Sequence, residues 1–175
     1  MHPFGANWLR IPIRPVKIAA YKVAAAIMIS ISQKCQYALR AIFELARQRP
    51  SKPTTIGQIA KAQAIPPRFL ELILNELKQG GLVRSRRGVQ GGYMLAVSPG
   101  ELTLEKVITM VDGPIEPVKC VVGGGSDCPL HGKCCFIEMW KRAGKAMSDV
   151  FESTTFQDLL EQQRKLDSSA SSYSI

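Results

Sequence analysis

Imidazole is almost missing from this chain: of 175 residues only His2 and His131 are histidine. No nucleophile–base constellation can be assembled from them, so an enzyme is not expected. Acidic residues are also scarce. Asp and Glu total 14 against 23 Lys and Arg, and the first carboxylate is Glu44. Long apolar runs are absent too, since the best stretch, IAAYKVAAAIMISI, is short and carries Lys22, which excludes a spanning helix. The cysteines lack the paired C-x2-C knuckles of structural zinc sites, which makes zinc a weak reading. No internal repeat is visible.

The length suits one domain with a proper core, and 46% apolar content is ordinary for a folded protein. A net charge of +9 and a pI near 9.5 favour a polyanionic partner, either nucleic acid or an anionic membrane surface. Five cysteines, four of them crowded into CVVGGGSDCPLHGKCC, fit a secreted disulfide framework poorly and point to a reducing cytoplasm. Residues 1–28 carry Arg10, Arg14, Lys17 and Lys22, are interrupted by Pro12 and Pro15, and run into a helix without a convincing cleavage site. They are read as an extra N-terminal segment, with the working protein beginning near Met28.

From Gln33 onward the pattern is of short helices and one hairpin. SQKCQYALRAIFELARQ sets Tyr37, Ala41, Ile42, Leu45 and Ala46 at helical spacing behind a Ser32 cap. TTIGQIAKAQ opens a second, short helix with Thr55 and Gln58 in capping-box order. Pro66 and Pro67 preset a third helix, RFLELILNELKQ, which Gly80 and Gly81 stop. Its apolar side is expected at Phe69, Leu70, Ile73 and Leu77. LVRSRRGVQGGYMLAV then reads as a β-hairpin with a flexible basic tip, Arg84, Arg86 and Arg87. Three helices followed by such a hairpin describe a winged helix-turn-helix.

LTLEKVITMVDG predicts a further helix closed at Gly113, and the cysteine segment follows as a loop. Phe136, Met139, Trp140, Ala143, Met147, Val150 and Phe151 form a heptad-like seam on one long helix, expected to be a dimer interface. FQDLLEQQ, capped by Thr154 or Thr155, adds a last short helix. The fold class is therefore mainly α. Its expected organisation is a winged helix-turn-helix domain at 29–100, a connecting helix and linker at 101–119, the cysteine loop at 120–135, dimerisation and C-terminal helices at 136–166, and a flexible tail at 167–175.

An amphipathic helix with a solvated charged face is usually only a core helix. A helix preceded by a short helix and tight turn, and followed by a wing, is instead where DNA-binding proteins place their reader. Arg68 would donate to guanine edges and Glu71 would accept from cytosine. The wing arginines suit the minor groove, where narrow A·T-rich steps concentrate negative potential. For Cys120, Cys128, Cys134 and Cys135 three readings compete: zinc, a vicinal disulfide switch between Cys134 and Cys135, and an iron-sulfur cluster. Wide glycine-rich spacings suit a cluster best. Neighbouring thiols point in different directions, so only one of Cys134 and Cys135 should ligate. Cys134 is preferred, because Cys135 is expected to begin the body of the long helix.

The segments QKCQYALRAIFELA, LELILNELKQGGLVRSRRGVQGGYML, VITMVDGPIEPVKC and CPLHGKCCFIEMW together resemble the Rrf family of bacterial transcription regulators, of the iron-sulfur (IscR/NsrR) type, over about residues 29–166. The resemblance implies a homodimeric winged-helix regulator whose three-cysteine loop binds a two-iron or four-iron cluster. The matching ligands are Cys120, Cys128 and Cys134. The family's wing arginine falls on Arg87 and its base-contacting positions on Arg68, Glu71 and Leu72. This chain departs from the pattern at Ile137, where IscR-like members have histidine, and at Gln36, where NsrR-like members have a carboxylate. The fourth ligand is left among Cys35 of the opposite subunit, His131 and Cys135. The gap of seven residues between Cys120 and Cys128 also exceeds the family's usual five.

The function expected is thus a cytoplasmic, homodimeric regulator that binds a double-stranded DNA operator and not a membrane. Cluster state would control operator affinity in response to iron, oxygen, nitric oxide or redox poise. The alternatives are a cluster-free regulator of the same fold that answers to thiols or a sulfur metabolite, and a regulatory protein acting through protein contacts alone.

Overall fold

A computed structural model describes residues 31–48, 52–88, 90–118 and 128–171. The N-terminal segment 1–28 and Cys120 lie outside the described residues. Helix α1 (Gln33–Arg47) starts where expected, with the Ser32 hydroxyl accepting from the Cys35 backbone N–H at 3.1 Å. Its inward stripe is Cys35, Ala38, Ala41, Ile42 and Leu45, all buried. The two alanines matter because a stripe without bulk lets neighbours approach closely. Helix α1 is accordingly the hub of the fold: among the described residues it packs against the next three helices, the last helix and the second strand.

Helix α2 (Ile56–Gln63) has the full capping box: the Gln58 backbone N–H donates to Thr55 Oγ1, and Gln58 Oε1 accepts from the Thr55 backbone N–H. It ends at Ala64, a non-glycine residue in the left-handed region with φ 49°. Ile65, buried in the core, holds that turn in place. Helix α3 (Pro67–Gln79) begins on its proline as predicted. Its buried residues are Leu70, Ile73, Leu74 and Leu77. Phe69, expected inside, is 59% exposed, and Leu74 takes the inward place. Both sets satisfy helical periodicity, and the direction from which α1 and α2 pack chooses between them.

Strands β1 (Val83–Arg86) and β2 (Gly92–Leu95) form the antiparallel hairpin, with Val83 opposite Leu95 and Arg86 opposite Gly92. A third piece of extended chain joins it. Thr54, between α1 and α2, exchanges two backbone hydrogen bonds with Tyr93, at 2.9 and 2.8 Å. The wing is thereby stitched to the helix-turn-helix rather than hung from β1 alone. Helix α4 (Leu104–Asp112), capped by Thr103, buries Val107, Ile108 and Val111 and closes at Gly113 with φ 87°. It passes so near the end of α3 that a Cβ at Gly80 would collide with Met110 Sδ.

After the cysteine loop come α5 (Ile137–Ser153) and α6 (Phe156–Ser171). Thr155, rather than Thr154, caps α6, in a reciprocal pair with Asp158. That hydroxyl, with the Thr155 backbone N–H, holds the Asp158 carboxyl below its ordinary value. Where α6 begins, the chain crosses back over the start of α4: Phe156 N–H donates to the Leu102 carbonyl and Leu104 N–H to the Thr154 carbonyl, each at 3.0 Å. Phe156 is fully buried and Leu160 nearly so, against the same core as α1. The last helix therefore contributes its first turns to the winged domain. It also runs to Ser171, through part of the segment expected to be a flexible tail.

Candidate nucleic-acid interface and cysteine loop

The outer face of α3 is built by subtraction. With Leu70, Ile73, Leu74 and Leu77 turned into the core, Arg68, Phe69, Glu71, Leu72 and Asn75 are left exposed. Neither Arg68 nor Glu71 has a side-chain hydrogen bond or ion pair among the described residues, so both keep their full hydrogen-bonding capacity for a partner.

In the hairpin, Arg84 and Arg86 are two apart on β1 and share one face, opposite the buried Val83. Arg84 lines a shallow cavity of about 260 Å³ between α1 and the hairpin, beside Leu45, Lys52 and Met94. Arg87 alone continues into the loop. The basic tip expected of three arginines is thus one arginine at the tip and two on the strand behind it, because pairing extends as far as Arg86–Gly92. Two glycines enforce that shape. A Cβ at Gly91 would stand 2.5 Å from the Arg86 carbonyl oxygen, and one at Gly92 would stand 2.6 Å from that of Thr54.

The angle between α1 and α2 is held by a residue with no role assigned from the sequence. Glu44 is only 5% exposed, and its carboxylate accepts from Gln63 Nε2 at 2.9 Å, Gln48 Nε2 at 3.0 Å and Arg47 Nη1 at 3.4 Å. A buried carboxylate is tolerable only when its lone pairs are met in this way. The available signal was a carboxylate between Ile42 and Leu45, inside an otherwise apolar stripe.

In the cysteine loop, Cys128 and Cys134 are partly exposed, Cys135 is exposed, and none is in a disulfide. Two tight turns separate Cys128 from Cys134, closed by His131 N–H to the Cys128 carbonyl and Lys133 N–H to the Leu130 carbonyl, both at 2.9 Å. Gly132, with φ 74°, supplies the left-handed residue they need. Helix α5 starts at Ile137, so Cys135 precedes its body and does not begin it. Among the described residues no three His, Cys, Asp or Glu side chains are grouped closely enough to hold a metal ion. Two accessible, unbridged thiols nonetheless have the donor chemistry an iron-sulfur cluster needs.

Cys35 is a different kind of thiol. It is fully buried in α1, and burial, reinforced by the Asp112 charge, pushes its pKa up to about 12. Unlike the accessible thiols of the loop, it is enclosed by its own fold, where it belongs to the inward stripe of α1.

Helix α5 divides the expected seam in two. Gly144 faces Pro117, whose Cδ would lie 3.0 Å from an added Cβ, Ser148 donates to Glu105 at 2.8 Å, and Phe151 packs on the core. Phe136, Met139 and Val150 remain exposed at 57%, 44% and 60%.

Comparison with known proteins agrees with this architecture. A family model described as Rrf2, iron-dependent transcriptional regulator, matches residues 31–162. A helix-turn-helix type transcriptional regulator of Mycobacterium tuberculosis is 36% identical over 130 residues, 74% of this chain and 80% of that protein. The solved structure of CymR, the global cysteine regulator of Bacillus subtilis, superposes with a TM-score of 0.65 at 33% identity, covering 77% of this chain and 98% of that one. IscR from T. potens superposes at 0.62 and 27% identity, covering 77% and 88%. The chain belongs to the Rrf2 family and is a winged-helix, DNA-binding transcriptional regulator.

Proposed function

We propose that this regulator acts as a cytoplasmic homodimer whose operator affinity is set by an iron-sulfur cluster held by Cys120, Cys128 and Cys134. Helix α3 enters the major groove with Arg68 and Glu71 toward base edges. Arg84, Arg86 and Arg87 of the hairpin meet phosphate and minor groove. The observation that carries the sensing part is the position of Cys128 and Cys134: accessible, unbridged thiols immediately before the helix that exposes Phe136, Met139 and Val150.

When bound, the cluster supplies a link among thiolates that responds to iron supply and redox state. The chain itself carries the response onward. Cys134 is joined to α5 through Phe136, α5 leads through Thr155 to α6, and α6 is planted by Phe156 beside α1, on which α3 packs. Two reader helices related by a two-fold axis bind best at one separation, so a shift of α5 against its partner alters affinity.

Native mass spectrometry of anaerobically prepared protein tests this. A dimer with added iron and sulfide mass is expected, lost in Cys120→Ala, Cys128→Ala and Cys134→Ala and kept in Cys135→Ala. A colourless, iron-free dimer from iron-replete cells overturns it. One observation favours a second reading. Cys135 is exposed next to Cys134, and the likeness to a cysteine regulator fits a cluster-free sensor of thiols or sulfur metabolites, which that iron-free dimer would support.

A further inference from the structure

We infer that Phe69 and Leu72 read thymine, by placing apolar surface against its C5-methyl group in the major groove. The inference rests on α3 being the reader helix, as proposed above. Phe69 is 59% exposed and Leu72 66% exposed, three residues apart on the outer face of a helix whose inner face already buries four leucine and isoleucine side chains. Residues three apart on a helix are neighbours, so the two form one apolar patch. Core packing does not use it.

The surroundings define what can cover the patch. Arg68 is beside it, and the following hairpin carries Arg84, Arg86 and Arg87, all exposed. Glu71 is the one acid adjacent to them in the sequence, and Glu76, one turn beyond Leu72, is paired with Lys34 at 3.1 Å. A partner must therefore be anionic around its rim and apolar at its centre. Duplex DNA meets both conditions, since phosphates form the rim and the thymine methyl is the apolar group displayed in the major groove. Leu72 has no polar atom to pair with a base edge. Set against guanine or the amino group of cytosine, it would strip water from hydrogen-bonding groups and give nothing back, so it selects for thymine and against those bases.

The test uses the full-length protein and deoxyuridine, which removes the methyl and leaves every hydrogen-bonding group of thymine in place. An operator is first selected from a pool of random duplexes, and each thymine is then replaced singly. The expected result is a loss of about fourfold at one or two positions per half-site, the amount one methyl-sized apolar contact contributes. Leu72→Ala or Phe69→Ala should weaken the unmodified operator by a similar factor and show no further loss at those positions. Both residues are exposed, so the variants should melt as the parent does. Tolerance of deoxyuridine everywhere overturns the inference while leaving α3 as reader. So does unchanged DNA affinity of both variants, the result expected if the patch docks a protein. Failure of the folded parent to enrich any duplex overturns the reader assignment itself.

Discussion

The carboxylate of Asp112 accepts both from the Ser32 backbone N–H, at 2.8 Å, and from the Ser32 hydroxyl, at 2.6 Å, tying the first turn of α1 to the last residue of α4. Ser32 Oγ accepts in turn from the Cys35 N–H, so one hydroxyl caps α1 and clamps α4. Asp112→Ala should lower unfolding free energy by about 1.5–3 kcal/mol, the range for hydrogen bonds to a charged group. Urea denaturation monitored by circular dichroism measures it. Asp112→Asn, which keeps one acceptor, should lose less.

Cys35 gives the fold a dependence on alkaline pH. Burial pushes its thiol from the ordinary 9.0 up to about 12 in the folded chain. Unfolded chains therefore release a proton that folded ones retain. The stabilisation is full below pH 9 and falls as pH rises from there toward 12, with a limiting slope of about 1.4 kcal/mol per pH unit. Cys35→Ala should remove that slope from a series of urea midpoints. In the native parent at pH 8, iodoacetamide should modify Cys128, Cys134 and Cys135 in their cluster-free form and spare Cys35.

Gly92 and Gly57 should respond oppositely to the same substitution. At Gly92, φ is 155° and an added methyl would stand 2.6 Å from the Thr54 carbonyl oxygen. Gly92→Ala should separate the wing from Thr54 and cost about 0.5–3 kcal/mol, the ordinary range for a destabilising substitution, with loss of operator affinity. At Gly57, in α2, nothing lies within 4 Å of an added Cβ. Gly57→Ala should stabilise by about 0.5 kcal/mol through helix propensity. Thermal melts and mobility shifts on the two variants separate these outcomes.

Arg87 stands alone at the tip of the hairpin, whereas Arg84 lies back against the cavity beside Leu45. Arg87→Ala should weaken operator binding and reduce the slope of log affinity against log salt by about one for each arginine lost from the complex. Arg84→Ala should change the slope less. Fluorescence anisotropy across a salt series provides the measurement.

Local signals in the sequence were reliable wherever the responsible groups lie within a few residues of one another. The Ser32 cap, the Thr55–Gln58 box, the Pro67 start of α3 and the Gly113 stop of α4 are all set by hydrogen bonds or dihedral limits spanning about one helical turn. The side of α3 that faces inward was not legible. Phe69 and Leu74 both fit the periodicity, and only contact with the rest of the core separates them. The Glu44 network, which reaches Gln63 on another helix, was equally invisible. So was the wing arrangement that puts Arg87 at the tip and Arg84 behind it.

By itself, the order of residues determined the winged helix-turn-helix, the basic character of its hairpin and the cysteine-rich loop before a long helix, because these depend on short-range periodicity and composition. Tertiary structure decided which surfaces those elements present. It buried Cys35, turned Phe69 and Leu72 outward, split the α5 seam between Pro117 and open solvent, and brought Phe156 back to α1. The reason is that an amphipathic pattern specifies that a face is buried, but not what buries it. That choice belongs to segments far away in the chain, meeting only once the core has closed.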